Sequence, residues 1–245
     1  MNSIIQSLLN HRSIRQFKDI PVTEEQLDTI IKAAQSASTS SYMMAYSIIG
    51  ITDQQKKTEL AEITNQPYVK DNGHLLIYCA DLHRPAVKAS KEEYKEMLPN
   101  LENSEHFLVS AIDAALAAQN AAVAAESMGL GICFIGSIRN NIERVDEILG
   151  LPDHVIPLFG MVLGTPDHSP DQKPRLPKRA IYFENEYQEH EQELDAFDEQ
   201  ILAYYQSRTS NSRNDTWTDQ MRRRFTHPMR MDVTDLVQKK GFNKR

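Results

Sequence analysis

Apolar residues recur at helical spacing in some segments and at strand alternation in others, and this pattern divides the chain. In residues 3–10, Ile4, Ile5, Leu8 and Leu9 share one face of a short helix. Residues 11–17 (HRSIRQF) carry no such period and read as a connection. Leu27, Ile30, Ile31 and Ala34 repeat at helical spacing behind Thr23-Glu-Glu-Gln26. That tetrad is a capping box: the Thr23 hydroxyl accepts from the N3 amide and Gln26 reaches back. A hydroxyl-rich stretch, residues 36–41, ends this helix. Residues 46–52 (YSIIGIT) and 74–81 (HLLIYCAD) read as strands, with a helix over 53–62 between them. Residues 85–105 are polar and charged, a helical or mobile surface excursion. An alanine-rich helix spans 110–127, and Gly129 supplies its left-handed cap. Residues 131–136 (GICFIG) form a third strand. A short helix behind Asn140-Asn141 stops at Gly150-Leu-Pro152, and residues 157–164 (PLFGMVLG) form a fourth strand. This order predicts one α+β or α/β core.

Beyond residue 164 the pattern changes. Residues 165–179 hold Pro166, Pro170, Pro174 and Pro177 and read as an irregular connection. Residues 184–199 hold eight acidic residues and no Lys or Arg, and residues 187–207 read as an exposed helix. From Met221 onward the chain is basic, with Arg222, Arg223, Arg224, Arg230, Lys239, Lys240, Lys244 and Arg245. The predicted division is a core of residues 1–180 and a C-terminal helical extension of residues 181–245.

Composition narrows the class. The chain has 245 residues, 40% apolar and 25% charged, which is ample for a sizeable core and excludes disordered and fibrous types. Lys and Arg number 27 against 34 Asp and Glu, a net charge of −7, whereas a nucleic-acid footprint calls for the opposite sign. Cys79 and Cys133 sit in apolar runs, outside any CxxC or Cys/His cluster. That argues against a disulfide scaffold and a structural zinc site, and for a reducing compartment. Residues 1–10 lack a basic region and a small-residue cleavage site. The weakly apolar stretch 108–128 carries Asp113, Gln119, Asn120 and Glu126, costly in a bilayer, so it reads as a soluble helix. The expectation is a soluble, cytoplasmic protein with no membrane partner.

Several familiar chemistries are absent. Residues 129–136 read GxGxxxxG, which is no dinucleotide fingerprint, and Ser137-Ile138 stands where a P-loop needs Lys and Ser or Thr. There is no HExxH and no GxSxG, and the eight histidines do not pair at i, i+4, so no metal site is expected. Four segments carry positive signals. Arg12 and Arg15 with Ser13 between them suit a phosphate monoester, or else are solvated charge at a helix end. Lys173-Pro-Arg-Leu-Pro177 presents two cations on a stiff loop, as an anion clamp would, or is a basic surface loop. Ser38-Thr-Ser-Ser41 offers hydroxyls to a ring edge or a ribityl chain, or is an ordinary polar loop. In Phe134-Ile-Gly-Ser137, Gly136 would let a flat ring approach the backbone, or the strand simply ends in a turn.

Together these segments resemble the FMN-dependent, oxygen-insensitive NADPH nitroreductase and flavin reductase family, in its larger-subunit branch. The resemblance runs along nearly the whole chain. It rests on His11-Arg-Ser-Ile-Arg15, Ser38-Thr-Ser-Ser41, Ala118-Gln-Asn120, Ala125-Glu-Ser-Met-Gly-Leu-Gly131, Ile135-Gly136 and Ile138-Arg-Asn-Asn141. It continues through Leu151-Pro-Asp-His154, Pro157-Leu-Phe-Gly160, Lys173-Pro-Arg-Leu-Pro177 and Asp215-Thr-Trp217. It implies an α+β fold with a mixed, mainly antiparallel sheet flanked by helices, and a C-terminal extension that embraces the partner in a homodimer. It also implies FMN at two intersubunit sites. The matching FMN-contact positions are His11, Arg12, Ser13, Arg15, Thr39, Gln66, Tyr68, Phe134, Ile135, Gly136, Ser137, Lys173 and Arg175. Some members carry glycine where Ser137 stands. Arg208 and Arg213 match positions that help bind the NADPH phosphate.

The chemistry so implied is ping-pong. NADPH, or NADH, reduces FMN, and an acceptor such as a nitroaromatic, a quinone or free flavin then takes two electrons. FMN carries the chemistry, so no catalytic side chain is expected. The rival readings are a flavin-binding or RNA-associated regulator using the basic tail, and a reductive dehalogenase on a related fold. The tail has only Phe225 and Phe242 as aromatics, which leaves few stacking platforms for RNA.

Overall fold

A computed structural model describes residues 1–208 and 211–245. Helix α1 (Ser3–Leu9) opens the chain, and α2 (Glu24–Gln35) follows behind the Thr23 capping box, with both reciprocal bonds formed. Strand β1 (Tyr46–Ile51), α3 (Gln54–Thr64) and β2 (His74–Asp81) come next. The excursion at 85–105 is helical: α4 (His83–Ala86) and α5 (Lys91–Leu101), the latter with its own capping box from Ser90 and Glu93. Helix α6 (Ser104–Ser127) begins six residues earlier than its alanine pattern indicates. The reason is local: the Asn103 side chain accepts from the His106 amide at 2.9 Å and sets the start. Strand β3 (Gly131–Ile135), α7 (Ile142–Leu149) and β4 (Val155–Gly164) complete the sheet.

The strand order is β1-β2-β4-β3, and all three pairings are antiparallel. The parallel component is a bridge between Ser13 and Ile132 on the outer edge of β3. Side chains alternate across the sheet as the pleat requires. Leu76, Tyr78, Ile132, Met161 and Leu163 pack against Ile30 and Ala34 of α2 and the alanines of α6. Leu75, Ile77, Cys79, Cys133, Ile135 and Val162 pack on the other face against Leu60 of α3 and Val145 and Ile148 of α7. Strand β2 is buried along its whole length, as a central strand with helices on both faces must be. By length and composition α6, with a hydropathy of 1.5, could cross a membrane, but its alanine face is core.

The chain forms two compact units, residues 1–170 with 230–245, and residues 171–229. The boundary therefore lies ten residues before the one the sequence pattern indicates, and the last segment belongs to the first unit. Phe242 is fully buried against Leu101, Ile142 and Ile156. Lys240 reaches Asp146 at 3.0 Å and donates to the Leu151 carbonyl at 2.7 Å. The basic tail is thus two further helices and a tether. In the second unit α8 (Glu191–Ser207) starts four residues later than expected, where Phe183, Tyr187 and His190 form a ring cluster ahead of it. Helix α9 (Trp217–Thr226) packs Trp217 against Phe197, and α10 (Val233–Lys239) lies in the first unit. The charge pattern concealed both α9 and α10.

His154 fastens the tether. It is 3% exposed with φ 59°, its amide donates to the Lys240 carbonyl at 2.7 Å, and its Nε2 meets the Tyr94 hydroxyl at 2.8 Å. Burial holds its imidazole below the ordinary range, against a smaller opposing pull from Asp153 and Glu102. An unfolded histidine titrates near about 6.5, so the stability carried by the neutral ring is fully present above that value. It is lost as pH falls from there toward the lower folded value. His74, also held low by burial, acts in the same direction. The expected outcome is that His154→Asn, which tolerates positive φ, loses less Tm than the parent on going from about pH 7 to about pH 5.5. An unchanged loss in thermal melts would assign the acid sensitivity elsewhere.

Candidate functional site

The chain after α1 runs along the free edge of β3. The Ile14 amide donates to the Ile132 carbonyl at 2.9 Å, and Gly131 makes room: a Cβ there would sit 2.5 Å from Ile14 Cγ1. This pairing sets Ser13 and Arg15 beside the strand. The Arg15 guanidinium lies 3.5 Å from the Ser13 carbonyl, and Arg15 and Cys133 both act on the Tyr68 phenol. Burial pushes the Tyr68 phenol up, Cys133 adds to this, and Arg15 opposes it. Where β3 ends, Ser137 donates to Gln66 Oε1 at 3.1 Å, and Phe134 stands 40% exposed, edge-on to Phe159. Arg139 backs this turn, donating to the Leu158 carbonyl beneath Gly136. Ser13, Arg15, Gln66, Tyr68 and the 134–137 turn are therefore one constellation around the end of β3.

His11 and Arg12 lie on the same connection and line a cavity of about 370 Å³ with Glu126, Gly131 and His168. His11 Nδ1 contacts Glu126 Oε1 at 2.6 Å. Arg12 Nε is buried without a hydrogen-bond partner among the described residues. Such an orphaned guanidinium nitrogen is costly in an isolated protein and marks a place for an acceptor.

Thr39 is not in this constellation. It precedes the 3-10 turn Ser40–Tyr42 on the way into β1, the opposite edge of the sheet, and its hydroxyl accepts from the Met44 amide at 3.3 Å. Ser41, Tyr42 and Met44 all have positive φ (49°, 59° and 48°). Each left-handed non-glycine residue costs about 1–2 kcal/mol, so the loop must be held from outside. Asp113 of α6, with no exposure, accepts from the Ser40 and Ala45 amides at 3.1 Å each. Arg84 donates to the Met44 carbonyl at 2.9 Å. Sequence reasoning missed Asp113, Arg84 and Glu126 as holders of site loops. The available signal was an acid isolated among alanines.

Lys173 and Arg175 belong to the second unit. They line a cavity of about 300 Å³ with Leu176, Tyr204, Tyr205 and Trp217, and Arg175 donates to the Lys173 carbonyl at 2.8 Å. Arg208 and Arg213 differ in their surroundings. Arg213 stacks 4.1 Å over the Tyr205 ring, lies 3.5 Å from Asp215 and donates to Gln220 Oε1 at 2.9 Å. Arg208 lies 5.8 Å over Tyr204, and its buried Nε has no partner among the described residues. Thr209 and Ser210, between the two arginines, lie outside the described residues. Cys79 and Cys133 are both buried and form no disulfide with each other, and burial pushes the Cys79 thiol up to about 12. No metal-binding group of His, Cys, Asp or Glu occurs among the described residues.

Residues 8–165 match the model of the nitroreductase family, and residues 173–245 match that of its C-terminal domain. The chain belongs to the nitroreductase family. Among its relatives is the FMN reductase (NADPH) of Bacillus subtilis strain 168, 50% identical over 249 residues and covering all of both chains. The NADPH-dependent oxidoreductase of Staphylococcus saprophyticus is 42% identical over 97% of each chain. The solved structure of B. megaterium NfrA1 superposes with a TM-score of 0.95 at 52% identity, over 99% of this chain and 100% of that one. The NADPH:FMN oxidoreductase from Vibrio harveyi, solved with NAD+, gives 0.88 at 38% identity over all of both chains. The α+β, mainly antiparallel fold expected from the resemblance is therefore the fold of a nitroreductase-family protein.

The candidate constellation depends on the close approach of Gly131 to Ile14. Gly131→Ala is expected to force buried Ile14 off β3 and to destabilise the fold by about 1–3 kcal/mol. It should also displace Ser13 and release flavin. Urea unfolding with flavin fluorescence on the same samples checks both. A parental midpoint with full flavin retention would mean that the edge pairing does not depend on this glycine.

Proposed function

We propose that this protein is an FMN-dependent NADPH oxidoreductase whose acceptors are nitroaromatics, quinones or flavins. The observation that carries the reading is the constellation at the end of β3, which suits a planar, phosphorylated cofactor. The donor set fits FMN: the Arg12 guanidinium, in a cavity it shares with His11 and His168, suits its phosphate. Arg15, Gln66, Tyr68 and Ser137 offer hydrogen bonds to a polar ring edge, while Phe134, Ile135 and Gly136 give a flat apolar approach. The family resemblance adds Lys173 and Arg175 as further cations for the cofactor. When bound, FMN supplies the two-electron chemistry between NADPH and the acceptor. The protein's own part is to bind, orient and keep the ring edge hydrogen-bonded; no side chain has to act as nucleophile or general acid.

The pattern of ion pairing supports this choice of residues. Arg222, Arg223, Lys239, Lys240, Lys244 and Arg245 are all paired with carboxylates, which weighs against a basic tail that serves RNA. Arg15 and Arg175 are bonded to backbone carbonyls, which a ligand phosphate can outcompete. The decisive experiment is anaerobic mixing of the yellow protein with NADPH and, separately, NADH, followed by acceptors of each class. Bleaching by NADPH and recovery with acceptor are expected. A preparation that binds no flavin, or whose flavin neither nucleotide reduces, would overturn the reading.

The active species in this proposal is a homodimer. Leu108, Ile112 and Leu116 form an exposed stripe on α6 (56%, 55% and 45%), and Ile4, Ile5, Leu8 and Leu9 of α1 are also exposed. A stripe of this kind calls for a partner surface. The Thr39 loop hangs from Asp113 and His11 from Glu126, separated by about 20 Å of helix. Thr39 of a second copy is thus the one that meets flavin at β3. Ile112→Glu is expected to give a folded monomer with weakened FMN binding, read by sedimentation and circular dichroism. A dimer that survives this change would place the interface elsewhere. A cytoplasmic location agrees with two buried cysteines that are not joined in a disulfide.

For the nucleotide, the two arginines divide the work. Arg208 reads the 2′-phosphate of NADPH, and Arg213, tied to Tyr205, Asp215 and Gln220, braces the second unit. Arg208→Ala should raise the NADPH KM about tenfold, with a smaller effect at high salt and little change for NADH. Arg213→Ala should instead cost about 1 kcal/mol or less of stability. Steady-state kinetics and thermal melts on both variants decide the matter, and an equal NADPH effect from both would return Arg213 to the phosphate.

A further inference from the structure

Glu126 lies in the last turn of α6, where the carbonyl end of the helix disfavours negative charge and no basic residue accompanies it. It also stands in the wall of a cavity lined by His11, Arg12 and His168, where a carboxylate opposes anion binding unless it is engaged. It is engaged: Oε1 lies 2.6 Å from His11 Nδ1 across 115 positions of sequence, and the side chain keeps only 13% exposure. Two nitrogens on residues lining this cavity, Arg12 Nε and His168 Nδ1, are buried without partners among the described residues. A carboxylate that holds one imidazole nitrogen fixes the proton there and the plane of the ring, which leaves Nε2 as the nitrogen to be presented.

We propose that Glu126 is a positioning residue for FMN: it holds His11 by Nδ1, so that Nε2 faces the phosphate. An imidazolium then donates from both nitrogens, one to each anion. The inference rests on the FMN reading above and adds a residue that touches neither flavin nor substrate. Helix α6 is the rigid mount. Its alanine face is packed into the core, so the carboxylate is held in place without help from the ligand.

The test is fluorimetric titration of apoprotein with FMN and with riboflavin, which lacks the phosphate. The parent is expected to prefer FMN. Glu126→Ala should reduce FMN affinity about tenfold and leave riboflavin affinity nearly unchanged. Glu126→Gln, whose amide oxygen still accepts from Nδ1, should recover most of the loss. Adding Glu126→Ala to His11→Ala should cost nothing further, since the acid acts through the ring. Equal losses for FMN and riboflavin, an unchanged FMN preference in Glu126→Ala, no rescue by glutamine, or additive losses in the double variant would each overturn the proposal. A parent protein that binds neither flavin would overturn the FMN reading itself, which keeps the two failures apart.

Discussion

Close packing of α6 is the constraint on which the first unit depends. Ala114, Ala117, Ala118, Ala121, Ala122 and Ala125 are all 2% exposed or less, and they meet α2 and one face of the sheet. Alanine allows that approach because its side chain occupies so little of the gap, and a larger residue would force a dense core apart. The same helix carries the two acids that hold the loops bearing site residues. Asp113 is tolerated with no exposure because two backbone amides donate to its carboxyl oxygens. Glu126 reaches the other way, to His11. A core contact therefore fixes where both loops stand.

The constellation at β3 follows from the sheet's own geometry. Strands β2 and β4 are internal, and β3 is an edge with unpaired backbone groups. The connection after α1 covers part of that edge through a single bridge, and the regular pairing ends at Ile135. Where pairing ends, backbone and side-chain donors turn outward, and Phe134 is left partly exposed. The binding surface is thus assembled where the edge is only half covered, and Gly131 lets the cover lie close enough to bring Ser13 and Arg15 to it.

Much of this was legible in the sequence. The Thr23 capping box, the four strands and the alanine helix were all readable because each signal lies within a few residues. Helices α9 and α10 were not individually readable within the expected helical extension, since their residues read only as a basic tail, while their partners are Asp215, Glu143 and Asp146. The site residues carried weak signals one by one, and their grouping came from resemblance along the whole chain. Asp113 and Glu126 were visible only as polar residues in an apolar helix, because their partners lie 73 and 115 positions away. No local pattern encodes a contact at that range.

The distribution of charge reconciles a net charge of −7 with dianionic ligands. Cations in this chain fall into two groups. Arg144, Arg223, Lys240 and Arg245 are matched by carboxylates and serve the fold. Arg15 and Arg175 have backbone carbonyls as partners, and Arg12 and Arg208 each keep a buried nitrogen without a partner among the described residues. A neutralised cation offers little to a phosphate, whereas one held by carbonyls or rings keeps its field. Arg213 has the sequence position of the second group and the partners of the first. Its neighbours, rather than its place in the chain, therefore decide what it can bind.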